Sequence, residues 1–439
     1  MGIITAHTPE KESPGGNIKA IFPSAIGVDV HAKVLVCNYQ WYDFETQAPQ
    51  NERAEFGTSQ TQLAAFAEWA KSRDPDRIVM ESTGVLWRSP YQALEDCGFT
   101  SQKLVLANAC DVKGKKGHKT DVIDAEHLAT LGRLDAVKGS FVPIRAVRDM
   151  RLISRAYIRA RQDLSRAKNR KTKYLNAIGA RAGSVFSDIN GKAAREILAA
   201  WVEDNPRLEE IIHAKAKLLK HSAEEIADAL SPLQSEHRRM LKIQQNQIDV
   251  LEGQCDEWFK LLTEMQQPFQ ECIDRLMSIP HLKEISARLI FAEIGPDLSS
   301  FTSCEKFCSW AGVCPGVKES AGKRIKGVKS GKGNQWLKYV LVELCSGIAL
   351  TKCGFLREYF QKLKERRGRN RAVVALAHKV LRIIYSLFKN LGTYIESTQE
   401  LLKQFRARRL ARAALQAARE NLTLASGVVC DRTTGEVYK

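Results

Sequence analysis

Two short β-rich runs, Ala25-Ile-Gly-Val-Asp-Val30 and Val34-Leu-Val-Cys-Asn-Tyr39, are separated by His31-Ala32-Lys33 and predict a hairpin. Apolar positions then take helical spacing over 60–71, and a strand at Arg77-Ile-Val-Met80 ends at Glu81. Helical spacing resumes at 86–97, a further strand is predicted at Lys103-Leu-Val-Leu106, and a helix over 121–133. Strands alternating with helices predict an α/β layer domain over residues 23–140. Residues 1–22, with Pro9, Pro14, Gly15 and Gly16, read as a flexible lead-in.

From about 145 the period changes. Met150, Ile153, Tyr157, Ala160, Leu164, Ala167, Lys171, Tyr174 and Ile178 advance by threes and fours, a coiled-coil-like seam. A second seam runs through Leu241, Gln244, Ile248, Leu251, Cys255, Trp258, Leu262 and Met265. Residues 145–268 are therefore expected to form a helical stalk or hairpin, interrupted near Pro206 and Pro232. A mostly helical domain follows over 270–395, with a glycine-rich basic loop inside it. The tail, 396–439, starts as a basic helix and ends polar and without periodicity.

Composition adds a partner class. The 439 residues carry 67 Lys and Arg against 50 Asp and Glu, a net charge of +17, which calls for a polyanion: nucleic acid first, an anionic membrane second. At 44% hydrophobic the chain has material for real cores, yet no apolar run approaches the ~20 residues of a membrane span. The N-terminal residues lack the basic and apolar regions of a secretory signal. The 11 cysteines are scattered and odd in number, which argues for a reducing cytosol. Cys304, Cys308 and Cys314 have no CxxC pair beside them and read as buried thiols rather than a zinc site.

Candidate chemistry lies in two places. Asp29 sits inside an apolar strand, where a charge is costly unless paired or bound to a cation. Glu81 ends a second strand, and Asp121 and Asp124 are spaced to share one face of a helix's first turn, which Thr120 is placed to cap. Singly, each acid is explained as a cap or a strand end. Together, four carboxylates can hold two divalent ions in phosphodiester chemistry, and oxygen-only ligands favour magnesium or manganese. The segment 113–119, with Lys115, Lys116 and Lys119, would meet a phosphate backbone there. In the second place, residues 315–334, Gly322, Gly327, Gly331 and Gly333 would let backbone amides approach a phosphate. Lys323, Arg324, Lys326, Lys329 and Lys332 supply charge, and Asn334 is placed to cap a helix from Gln335. A serine here is a candidate nucleophile, but spacing alone leaves Ser320 and Ser330 open. The cationic helix after 145, with Arg155, Arg159 and Arg166, is the expected cradle for RNA or DNA.

These segments resemble the DEDD transposases of the insertion sequence 110 family, RNA-guided serine-dependent recombinases. The matching stretches are Ile26-Gly-Val-Asp-Val-His-Ala-Lys33, Met80-Glu-Ser-Thr-Gly84, Lys119-Thr-Asp-Val-Ile-Asp-Ala125, the hairpin from Ile279-Pro to Ile294-Gly, and Lys318-Glu-Ser-Ala-Gly-Lys-Arg-Ile-Lys-Gly327. Arg371 to Tyr385 is similar to the family's closing helix, while the hairpin's usual glycines are replaced by His281 and Lys283. The resemblance implies an RNase H-like (RuvC-like) N-terminal domain with Asp29, Glu81, Asp121 and Asp124 as its acidic, magnesium-binding set. It implies Ser320 as the serine that becomes linked to DNA, a C-terminal transposase domain, and a composite site drawing on both domains. Donor and target DNA would be paired by an element-encoded bridge RNA, in a bacterial, nucleoid-associated cytoplasmic protein. The stalk would build a dimer or tetramer, so that one subunit's acids meet another's serine. The alternatives are a metal-dependent RuvC-type nuclease without a covalent intermediate, and a non-catalytic nucleic-acid scaffold.

Overall fold

A computed structural model describes residues 3–7, 20–81, 84–108, 112, 121–230, 232–315, 319–320, 323–324, 333–352, 354–394, 422–425, 428–431, 434 and 437–438. The chain divides into two compact units, Met1–Arg145 and Ala146–Lys439.

The first unit is built on a six-stranded sheet. Its strands are β1 (Ile3–His7), β2 (Ser24–Val30), β3 (Val34–Asp43), β4 (Ala48–Gly57), β5 (Arg77–Glu81) and β6 (Leu104–Ala107), in the order β1-β4-β3-β2-β5-β6. The β2–β3 hairpin and β4 are antiparallel, whereas β5 and β6 continue the sheet parallel to β2. Helices α1 (Gln60–Arg73), α2 (Arg88–Asp96) and α3 (Asp121–Arg133) cover it. Period-two alternation decides which faces they meet. Ile26, Val28, Leu35, Ile78 and Met80 pack with Phe66, Tyr91 and Leu94 of α1 and α2, while Val79 and Ala107 pack with Leu128 of α3.

Two departures from the sequence expectation are in this sheet. The lead-in 1–22 contains β1, which pairs antiparallel with β4 from Ile3↔Glu55 to His7↔Asn51, capping an edge that otherwise exposes a row of unpaired N–H and C=O groups. The β4 strand, with Asn51-Glu52-Arg53 at its centre, has too polar a sequence to announce itself and is specified by its ladder to β3.

The second unit begins with α4 (Arg145–Ala177), passes through α5 (Ala182–Val185), α6 (Lys192–Glu203), α7 (Leu208–Ala216) and α8 (Ala223–Ala229), and returns along α9 (Ser235–Met265). Cross-helix partners run in opposite directions: Tyr157 with Phe259, Lys168 with Glu252, Lys171 with Gln245 and Tyr174 with His237. The long helices are therefore an antiparallel pair. Rather than a bare stalk, the hairpin's connection is a small helical core, with Ile197, Trp201, Ile212 and Ile226 buried against Leu175 and Leu241.

Next come α10 (Gln270–Met277), α11 (Glu284–Ile294), α12 (Cys304–Trp310), the two-residue strands β7 (Glu319–Ser320) and β8 (Lys323–Arg324), α13 (Gln335–Ile348), α14 (Phe355–Arg367) and α15 (Arg369–Asn390). Phe291, Phe307, Leu337, Leu341, Leu376 and Leu381 are buried in this part. The end expected to lack periodicity instead forms a three-stranded sheet of β9 (Leu422–Ala425), β10 (Val428–Asp431) and β11 (Val437–Tyr438). These runs are short, but rich enough in Val and Leu for β9 and β10 to pair antiparallel from Ala425↔Val428 to Leu422↔Asp431. No described helix is long and apolar enough to cross a membrane.

Candidate active site

Glycine places the first set of acids. A Cβ at Gly27 would lie 2.0 Å from the Ala125 carbonyl oxygen and 2.4 Å from the Ala129 nitrogen, so α3 rests directly on the β2 backbone. At the other end of β2, a Cβ at Gly132 would lie 3.1 Å from the Ala25 Cβ. Helix α3 therefore runs against β2, with its first turn towards the strand's carboxyl end. Asp29, two residues beyond Gly27, is on the same face. Val28 pairs with Met80, so Asp29 and Glu81 stand next to each other at the ends of adjacent parallel strands. Glu81 shares its face with Val79, which packs with α3. The register of three elements thus gathers Asp29, Glu81, Asp121 and Asp124 at one edge.

Polar contacts lock this arrangement. The Gln40 amide on β3 donates to the Glu126 carbonyl (3.0 Å) and accepts from the Thr130 hydroxyl (3.1 Å), fixing α3 along the sheet. The Asp29 side chain is only 14% exposed, and its Oδ2 lies 3.0 Å from His31 Nε2. Asp124 is half-buried, and the side chain of Asp121 lies outside the described residues. Among the described residues, no three His, Cys, Asp or Glu side chains are grouped to hold a metal ion. All four acids are carboxylates, the donor type that suits magnesium or manganese.

The second set is in the other unit. Ser320 is the last residue of β7 and pairs with Lys323 of β8 in antiparallel register. Only the backbone is described at Ser320, Lys323 and Arg324, and Lys115, Lys116, Lys119, Thr120, Lys326, Lys329, Ser330 and Lys332 lie outside the described residues. Gly333, expected to open the backbone towards a phosphate, has a different job. Its φ is +46°, and a Cβ there would lie 2.3 Å from the Gly312 nitrogen, so the loop's exit is packed against its entrance. Asn334 caps α13 as expected, its Oδ1 accepting from Trp336 N and Leu337 N at 3.1 Å.

A family model described as a transposase, for the DEDD group of IS110, matches residues 26–179, and a second, described as transposase of the IS116/IS110/IS902 family, matches residues 273–361. The chain belongs to the IS110 transposase family. Curated relatives are also named as transposases. The transposase for insertion sequence element IS1111A of Coxiella burnetii is 28% identical over 145 residues, 32% of this chain and 38% of that protein. A Sinorhizobium fredii protein named as a transposase is 30% identical over 128 residues, 28% of this chain and 33% of the relative. The chain thus spans little more than a third of the length of the curated relatives it matches.

Within this IS110-family chain, the cations of α4 divide into two kinds. Arg155 is bound inward, its Nε and Nη2 donating to the fully buried Glu293 carboxylate at 2.8 and 2.9 Å. Arg159 and Arg166 are exposed, the first with its guanidinium 5.3 Å from the centre of the Trp336 ring and the second beside Asp163. Three further features come from the structure. His31 follows Asp29 by two and reads only as a turn residue. Glu293 reads as one more polar helix position. The end of α14 and the start of α15 carry Lys362, Lys364, Arg366, Arg367, Arg369 and Arg371, without an ion pair among the described residues. Six cations within ten residues are a visible signal, and they add a cationic surface to the expected ones. At the hairpin before α11, His281 takes φ +69°, the conformation for which a glycine is the usual choice.

Proposed function

We propose that the chain cuts and rejoins DNA strands as the recombinase of a mobile insertion element, through a phosphoserine intermediate. What carries this reading is the juxtaposition of Asp29 and Glu81 at the ends of parallel strands beneath the first turn of α3, in a chain of the IS110 family. The sheet order β4-β3-β2-β5-β6, antiparallel then parallel, supports an RNase H-like first unit. Magnesium or manganese held by Asp29, Glu81, Asp121 and Asp124 would stabilise charge on the scissile phosphate. The Ser320 hydroxyl attacks phosphorus, giving up its proton as the phosphorus–deoxyribose oxygen bond breaks and a hydroxyl end is released. That hydroxyl then attacks the phosphoserine on the other DNA, and the serine regains its proton. One phosphodiester is exchanged for another, so no external energy is consumed.

Lys115, Lys116, Lys119, Lys323, Arg324, Lys326, Lys329 and Lys332 lie close to these groups in sequence and would hold the strand by phosphate contacts, with Arg159 and Arg166 contacting DNA or a bridge RNA. Such an RNA would supply site choice by base pairing. Met240, Ile243 and Val250 are exposed on α9 at spacings of three and seven, which supports assembly of two or more copies along this helix.

The test compares Ser320→Ala with Asp121→Asn on labelled element-end DNA, with magnesium and the cognate RNA. A covalent protein–DNA adduct in wild type that disappears with Ser320→Ala is the expected result. Cleavage that persists without Ser320 would instead mean a RuvC-type nuclease, and binding without cleavage in wild type a scaffold.

A further inference from the structure

We propose that Glu293 and Asn334 are positioning residues: a buried carboxylate–amide latch that fixes the base of the loop carrying Ser320. The inference rests on Ser320 being the attacking group. The loop leaves the helical core after α12 and returns at Gly333-Asn334, and its two ends touch. Asn334 N–H donates to the Trp310 carbonyl at 2.8 Å, and Gly333 lies on Gly312 too closely for any side chain. Because Asn334 Oδ1 is taken by the α13 backbone, its Nδ2 is the group left to donate, and it does so to Glu293 Oε2 at 2.7 Å.

Glu293 is 0% exposed, and two arginines of α4 complete its shell. Arg155 forms a two-pronged pair with the carboxylate, and Arg151 donates to the Glu293 backbone carbonyl at 3.2 and 2.5 Å. The same arginines lie over the tryptophans that bracket the loop: Arg151 is 5.7 Å from the Trp310 ring centre, and Arg155 is 5.5 Å from that of Trp336. A buried ion cluster is a weak way to gain stability, since apolar side chains of equal volume often do as well. Its directional bonds, however, fix where a backbone lies. Here they converge on the point where the loop leaves and re-enters, the place from which a small displacement is amplified at Ser320. A misplacement of about 1 Å costs roughly a hundredfold in rate.

The test uses the full chain with element-end DNA, magnesium and cognate RNA, and follows the rate of serine–DNA adduct formation beside DNA affinity. Glu293→Gln puts an N–H₂ where two donors need an acceptor, and Asn334→Asp sets two carboxylates against each other. Each is expected to slow adduct formation about a hundredfold, with DNA affinity unchanged. The double variant restores a donor–acceptor pair in reverse, with the introduced carboxylate still able to cap α13, and should recover at least about tenfold of the loss. A merely structural role would give losses that add, with no recovery. Wild-type rates in both single variants, or no recovery in the double, would overturn the latch. If Glu293→Gln does not fold, Arg155→Lys, which loses the two-pronged geometry but keeps the charge, takes its place, and an unchanged rate there overturns it equally. An adduct that survives Ser320→Ala is a separate outcome: it sinks the serine assignment and this inference with it.

Discussion

The two units hold their candidate groups in place by different means. In the first, the acids are arranged by ladder register and by a helix lying on a glycine, over an interior whose only buried charge among the described residues is Glu52, paired with Arg73. In the second, Arg148, Lys171, Arg275, Arg288 and Glu293 are all buried, and the base of the Ser320 loop is tied by one of these clusters. Register places side chains to within a fraction of a strand repeat and does not itself require a buried ion pair. The Ser320 loop has only the two-residue ladder of β7 and β8, so directional ion pairs and a capped helix end place its base, at a cost in desolvation. The lesson concerns where each unit is vulnerable: the sheet to added volume, the loop to lost polarity.

The largest effect should come from testing this at the two close-packed glycines. Gly27→Ala drives a methyl into backbone atoms of α3 that are fixed on both sides, and should cost about 3 kcal/mol, the upper end of overpacking. Urea unfolding should show the loss in the first unit alone. Gly333→Ala combines a left-handed φ, worth about 1–2 kcal/mol, with a clash against Gly312 at the base of the Ser320 loop. It should lower adduct formation more than it lowers stability. If Gly333→Ala instead unfolds its unit while Gly27→Ala leaves α3 protected from hydrogen exchange, the contrast between the units is wrong.

Much of the first unit was legible in sequence because its signals are local. The runs at 25–30, 34–39, 77–80 and 103–106 alternate or are uniformly apolar, and the structure has strands at each. Asn334 as a cap was legible for the same reason, its hydrogen bonds being to residues two and three ahead. The β4 strand was hidden because its neighbours, not its own residues, specify it. Glu293 was hidden because its partners are 138 and 41 residues away, so nothing in its local window distinguishes it from a solvated glutamate. Arg155 stands out in sequence as a cation, but sequence does not tell an arginine that faces nucleic acid from one that completes a buried pair.

A smaller effect sharpens the charge side of the comparison. Burial, with Arg195 nearby, pushes the Lys171 ammonium down to about 8 although its Nζ donates to Gln245 Oε1 at 2.6 Å. Its folded value lies below the unfolded one, so between about pH 8 and 10.5 the unfolded chain holds the extra proton. Stability should therefore rise with pH across that window, and below it the burial penalty is fully present. Lys171→Met should gain about 1–2 kcal/mol at pH 7 and flatten the rise, as read from unfolding midpoints at pH 7, 8, 9 and 10. A loss at pH 7 would show that the lysine bond to Gln245 outweighs desolvation, and that the second unit's buried charges are a source of stability.

The smallest effect separates space from conformation as the reason for a glycine. At Gly27 and Gly333 the neighbours leave no room for a Cβ, whereas His281 is exposed, makes no hydrogen bond among the described residues, and departs from the ordinary only in its φ of +69°. A left-handed side-chain residue costs about 1–2 kcal/mol, and glycine gives back about 0.5–1 kcal/mol through its freer unfolded chain. His281→Gly should therefore stabilise the second unit by about 0.5–1 kcal/mol, visible as a higher urea midpoint with an unchanged slope. A lower midpoint would mean that the imidazole makes a favourable contact in solution, and that the turn before α11 is held by its side chain rather than in spite of it.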